Sequence, residues 1–240
     1  MNKQIIKQVA WVGDEYVSGA ISGVVLNFHG LGHTGMRTTP TTEELAWADK
    51  GGLCVFPYYG PWSWMNRQAR AFVDELVDSI YACYQLPAHT PLVTVGGSMG
   101  GCSSLLYARY ARRPVRGCVA NCPVCDMKYH FSERPELPTS MRQAFACYDE
   151  DMESVFREQS PLAQVAQMPD IPYLLIHGGQ DPAVAKSHHS DPMVAAMRAQ
   201  GLNVRYLEVP RMQHCGPLPL EVLTEQVEFV SRLLDHSVGT

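Results

Sequence analysis

The stretch PLVTVGGSMGG, residues 91–101, runs from a β-branched, buried-type strand through a glycine-flanked serine into a helix expected over about Met99 to Ala111. So sharp a strand-to-helix turn strains the backbone of its central residue, and the glycines beside it tolerate the turn because they have no Cβ to clash. Ser98 is therefore expected at the C-terminal edge of a sheet. The helix behind it offers N–H groups and a positive dipole end to a developing oxyanion. A plain glycine-rich strand-to-helix turn is the alternative, and the strand before and helix after weigh against it.

Working outward, short apolar runs alternate with longer helical patterns. Strands are expected at GVVLNF (Gly23 to Phe28), LCVFPY (Leu53 to Tyr58), VRGCVANC (Val115 to Cys122), PYLLIH (Pro172 to His177) and VRYLEV (Val204 to Val209). Helices are expected near Asn66 to Tyr84, Asp191 to Gln200 and Leu220 to Leu234. That alternation predicts an α/β fold, a mostly parallel sheet with helices on both faces. Before it, Gln4 to Val12 and Tyr16 to Ile21 read as an antiparallel hairpin around Gly13, Asp14 and Glu15. Residues 123–171 contain no convincing strand, but helical stretches near Pro138 to Cys147 and Met152 to Gln167 predict a small helical insertion within a single domain, residues 1–240.

Composition bounds the function. With 46% hydrophobic and 18% charged residues the chain can bury a full core. Its 19 Lys+Arg against 24 Asp+Glu, net −5, supply no basic excess for nucleic acid or anionic lipid. The uncharged run from Ser79 to Ala108 is broken by Pro87, Pro91 and several glycines, unlike a membrane span. The stretch MNKQIIKQVAWVGDEY has no apolar h-region or small-residue cleavage site, so a cytoplasmic protein is expected. Eight cysteines scattered through strands and helices are expected to be reduced thiols.

A serine hydroxyl needs a general base, itself oriented by a carboxylate. Asp181, in HGGQD after one strand, and His214, in RMQHCG after the next, fall at the same sheet edge as Ser98. HGLG after GVVLNF places the backbone N–H of Leu31 to join that of Met99 as an oxyanion hole. With the order Ser98, Asp181, His214, these motifs resemble the α/β-hydrolase superfamily over nearly the whole chain. The HGxxDxxV run, His177 to Val184, is most similar to the prolyl oligopeptidase and dienelactone hydrolase-like branch. The resemblance implies a serine hydrolase with no cofactor.

The aromatic loop from Tyr58 to Trp64 leaves the sheet at this edge, so Tyr59, Trp62 and Trp64 are candidate substrate contacts, with packing of the loop as the alternative. His33 and Arg37 are candidates for a polar substrate end. His188, His189 and Asp191 read as a solvated helix start, Cys122 and Cys125 as structural thiols despite their CxxC spacing, and Cys215 as a buried or loop thiol; no metal is expected. The expected activity is hydrolysis of small or medium carboxylic esters. The rivals are cleavage of short peptides or aminoacyl amides by the same triad, and a non-catalytic binding member of the fold. The expected partner is the small substrate, and a homodimer is left open.

Overall fold

A computed structural model describes residues 1–235. Helix α1 (Lys3–Val9) leads into β1 (Ala10–Val12), a 3₁₀ turn (Asp14–Tyr16), β2 (Gly23–Phe28), α2 (Thr42–Asp49), β3 (Gly52–Pro57), α3 (Arg67–Cys83), β4 (Leu92–Gly97), α4 (Met99–Tyr110) and β5 (Gly117–Asn121). After β5 come α5 (Met127–Phe131), α6 (Leu137–Ala144), α7 (Met152–Gln159) and a 3₁₀ segment (Pro161–Gln167), with β6 (Tyr173–Gly178), α8 (Ser190–Ala199), β7 (Val204–Val209) and α9 (Leu220–Leu234) closing the described chain. No helix among the described residues is long and apolar enough to cross a membrane.

The strands form one sheet in the order β1-β3-β2-β4-β5-β6-β7, antiparallel only between β1 and β3. The twofold alternation of side chains along each strand divides its core in two. Val24 and Leu26 pack on the side of α3 and α4, whereas Val25, Val93, Val95 and Val119 face Trp47 of α2 and Phe229, Val230 and Leu234 of α9. Both faces are covered, which is why the inner strands read as continuous apolar runs.

The expected N-terminal hairpin is not formed. KQIIKQV is helical, with the Asn2 side chain accepting the Ile5 N–H at 3.0 Å and Ile6 buried. Only Ala10–Val12 is extended, and it pairs with β3 rather than with a hairpin partner, while residues 16–21 form no strand. The helix expected over Met152 to Gln167 is split, because Pro161 has no N–H to donate and holds Ser160 extended (φ −95°, ψ 111°). Helix α2 was not anticipated, although its capping box, Thr41 with Glu44, is written in the sequence.

Register sets the site. Phe28 pairs with Gly96, Gly97 with Asn121, Asn121 with Ile176 and Gly178 with Val209, so β2, β4, β5, β6 and β7 end side by side. The loops carrying His29, Ser98, Cys122, Asp181 and His214 all leave from this edge. Close approach at the β4 end requires glycine: a Cβ on Gly96 would lie 2.2 Å from the Gly100 carbonyl oxygen, and one on Gly100 would lie 2.1 Å from that of Phe28. Gly96→Ala is expected to cost about 3 kcal/mol or more, since only backbone can yield there. Gly35→Ala, with nothing within 4 Å of the added carbon, is expected to stay within about 0.5 kcal/mol. Urea unfolding at constant m tests both, and equal midpoints would contradict the packing argument.

Candidate active site

Ser98 sits between β4 and α4 at φ 59°, ψ −124°. For a residue with a Cβ this conformation costs about 1–3 kcal/mol and persists only where neighbours impose it. Here the Ser98 N–H donates to the Asn121 carbonyl at 2.9 Å, while its own carbonyl accepts from Cys102 at 3.0 Å as α4 begins. The hydroxyl is thus presented above the sheet edge, 2.8 Å from His214 Nε2.

His214 Nδ1 lies 2.7 Å from Asp181 Oδ2. A carboxylate can only accept, so Nδ1 carries the proton, and in the neutral ring Nε2 is left to accept from Ser98. Asp181 is held from several sides: Oδ1 accepts the N–H groups of Ala183 (2.8 Å) and Val184 (2.9 Å), and His177 Nε2 lies 3.3 Å from Oδ2. Burial alone would raise the Asp181 pKa, but His177, His214 and these two N–H groups together hold it far below the usual carboxylate range. His177 is itself buried and fixed by Ser190 Oγ (2.6 Å) and the Val184 carbonyl (3.0 Å). His214 is affected oppositely: burial disfavours its charge, but hydrogen bonds and attraction from the Asp181 carboxylate and from Cys122 in its thiolate form outweigh burial and raise it above 6.5.

A cleft of about 600 Å³ opens over Ser98, lined among others by Gly30, Leu31, His33, Phe56 and His214. The loop after β2 presses close, with a Cβ on Gly30 falling 3.9 Å from the Ser98 Cβ. Met99 opens α4, so its N–H has no intrahelical acceptor. Leu31 lines this cleft, and Met99 follows the serine directly at the start of α4.

Of the remaining site candidates, His33 lines the cleft. Tyr59 and Trp64 do not, which corrects their reading as substrate contacts. Tyr59 is buried, its hydroxyl 2.8 Å from the His29 carbonyl oxygen and 3.0 Å from Ser103 Oγ, bracing the loop after β2 from beneath. Trp64, at φ 49°, is buried and donates to Ser140 Oγ of α6 at 3.3 Å. Trp62 is exposed but is not among the cleft-lining residues. Arg37 pairs with buried Glu44 and lies over Trp11 and Phe56, so it is committed to packing. His189 is not solvated: it is fully buried, with Nδ1 accepting from the Cys125 and Asp126 N–H groups and Nε2 donating to Glu133.

Two cleft residues escaped sequence reading. Arg134 and Glu136 reach the cleft from the segment between α5 and α6 and pair at 3.1 Å. Their only sequence signal is a charged run, SERPE, inside the predicted insertion. Among the described residues, three groups hold ligand-type atoms that lie within 4.8 Å of one another inside the group: Cys122, His214 and Cys215; Cys122, His177 and Asp181; and His130, Glu133 and His189. In the last, Glu133 already accepts from both histidines and from the Ala185 N–H.

The model of the prolyl oligopeptidase family matches residues 77–237, more than half the chain and the whole span from Ser98 to His214. The chain belongs to the prolyl oligopeptidase family. Comparison with curated proteins gives no match. Among solved structures, a Pyrococcus horikoshii acylaminoacyl peptidase superposes with TM-score 0.76 at 13% identity, covering 93% of this chain and 39% of its own. A Mycobacterium tuberculosis puromycin-hydrolyzing peptidase gives 0.69 at 18% identity, covering 92% and 35%. A lipase in its open form gives 0.69 at 16% identity, covering 95% and 94%. These likenesses show the α/β-hydrolase fold, and this family member spans about two fifths of the length of the acylaminoacyl peptidase.

A base must be neutral to accept a proton, and a raised pKa delays that state to higher pH. Labelling of the protein by a fluorophosphonate is therefore expected to rise with pH with a midpoint above 6.5. Asp181→Asn should move that midpoint down; an unmoved midpoint would show that Asp181 does not set the imidazole.

Proposed function

We propose that this serine hydrolase cleaves small or medium carboxylic esters through an acyl-enzyme on Ser98. The observation that carries the reading is the continuous hydrogen-bonded chain Ser98 Oγ, His214, Asp181 at 2.8 and 2.7 Å. In this mechanism Ser98 attacks the carbonyl while His214 Nε2 takes its proton, and the imidazolium formed is stabilised by Asp181, which stays ionised. The N–H groups of Leu31 and Met99 receive the negative charge on the carbonyl oxygen. His214 returns the proton to the departing alkoxide, and water, activated by the same ring, resolves the acyl-enzyme.

A second reading is cleavage of short peptides or aminoacyl amides. It is supported by the family match and by Glu136, a half-exposed carboxylate that lines the cleft beside its partner Arg134 and could take a substrate amine in exchange. An amide nitrogen leaves only once protonated, which asks more of His214 as an acid than an ester does. The test is a comparison of p-nitrophenyl esters with aminoacyl anilides. Ester turnover exceeding anilide turnover supports the first reading, and loss of anilide turnover alone in Glu136→Gln supports the second.

Ser98→Ala is expected to remove turnover at unchanged Tm, and a variant that kept activity would overturn the nucleophile. Asp181→Asn is expected to lower kcat about 1,000-fold or more with a far smaller change in KM, because it leaves the ring in the wrong tautomer. Absence of fluorophosphonate adduct on folded protein would instead favour a non-catalytic, ligand-binding member of the fold.

A further inference from the structure

Two thiols from different loops meet beside the His214 ring. Cys122 follows β5 and Cys215 follows His214, and the Cys215 N–H points at Cys122 Sγ at 3.4 Å. A ring nitrogen of His214 and the two sulfurs all lie within 4.8 Å of one another. Neither cysteine is in a disulfide. Each is held in left-handed backbone, φ 44° at Cys122 and 47° at Cys215, where a residue with a Cβ is strained. The two strained residues are thus the two that bring sulfur to the imidazole.

The cluster is also reachable. Cys215 is exposed and lines both the cleft over Ser98 and a second cavity of about 440 Å³, whose wall includes Asn27, Trp47, Asn121 and Gln226. The grouping that shares Cys122 with His177 and Asp181 offers less. His177 and Asp181 already satisfy one another, both side chains are buried, and only one sulfur is present.

We propose that Cys122, Cys215 and His214 form a binding site for a thiophilic divalent cation of the Zn²⁺ and Cd²⁺ class, and that occupation of this site switches the serine off. Two thiolate sulfurs and one imidazole nitrogen are three of the four ligands of a tetrahedral centre, with the fourth position open to water. Sulfur selects this class over Mg²⁺ or Ca²⁺. On binding, each thiol gives its proton to solvent, the two sulfurs and the nitrogen donate lone pairs to the metal, and nothing is oxidised or reduced. The nitrogen that takes the metal leaves its present partner. If it is Nε2, Ser98 loses its base; if it is Nδ1, the proton there passes to Nε2, so Asp181 loses the ring and Ser98 again has no acceptor. The inhibitory consequence rests on the catalytic reading of His214, whereas binding itself does not.

The experiment titrates the full, reduced chain with Cd²⁺ and follows the ultraviolet sulfur-to-cadmium charge-transfer band. One equivalent is expected to produce the band. Cys215→Ser and Cys122→Ser should abolish it, and Cys147→Ser, which removes the other exposed thiol, should leave it intact. Should Cys122→Ser fail to fold, Cys215→Ser, in an exposed loop, decides alone. In parallel, Zn²⁺ is expected to slow fluorophosphonate labelling of the wild type about tenfold or more, the scale expected when a serine loses its base, with recovery on adding EDTA and no slowing in Cys215→Ser. The proposal is overturned by a folded wild type without the band, by an equal band in Cys215→Ser, or by inhibition that EDTA does not reverse. If the wild type is never labelled, the catalytic reading falls while the cadmium band still decides the site.

Discussion

Everything at the site depends on the backbone at Ser98. A serine at φ 59° is tolerable only if β4, α4 and the end of β2 approach more closely than side chains allow, and Gly96 and Gly100 are where that approach occurs. The same approach brings the loop after β2 against the serine and leaves the first N–H of α4 without an intrahelical acceptor. One constraint thus sets a half-buried hydroxyl, a close-lying loop and the free N–H at the start of α4 side by side. The strain is held by ordinary means, a ladder-like bond to Asn121 and the first turn of a helix buried along most of its length.

The histidine and its carboxylate are positioned by a different logic. Asp181 and His214 leave successive parallel strands whose ends are in register, Gly178 beside Val209. That register carries two loops to one place. Rigidity comes from His177, the last residue but one of β6, which reaches Asp181 and is itself pinned by Ser190 at the start of α8. A buried carboxylate with four donors stays ionised, and a charge that stays in place keeps the imidazole in one tautomer. The elevated basicity of His214 follows from the same arrangement.

The sheet and the order Ser98, Asp181, His214 were legible because both rest on local pattern: strand runs, glycine turns and loops that must leave from one edge. Helix α9 was read at its observed bounds, and α3 within a residue, for the same reason. The N-terminal segment was misread because Ile5, Ile6 and Val9 suit a strand face or a helix face equally, and a side-chain cap at Asn2 decided between them. Tyr59 and Trp64 were misplaced for a deeper reason. Sequence shows that a loop leaves the right edge, but not which of its side chains turns inward, and here a left-handed residue sends Trp64 into the core. Arg134 and Glu136 were invisible because their position depends on how residues 123–171 fold back on the rest of the chain, a long-range matter with no local signature.

That fold-back has its own anchor, and the anchor adjoins the cleft in sequence. Glu133 accepts from His130 on α5, from His189 before α8 and from the Ala185 N–H in the loop after β6, so it joins this segment to the half of the sheet that carries Asp181. The next residue, Arg134, and then Glu136 line the cleft. Burial opposes the charge on Glu133, but its three donors outweigh burial and keep it ionised. A charged, fully hydrogen-bonded carboxylate resists displacement more than an apolar contact of the same area, since moving it would leave two buried histidines without their partner. The polar wall facing Ser98 is therefore positioned by the residue beside it. Two parts of the chain thus meet at the cleft, the strand ends carrying Ser98 and His214 and the segment beside Glu133 carrying Arg134 and Glu136.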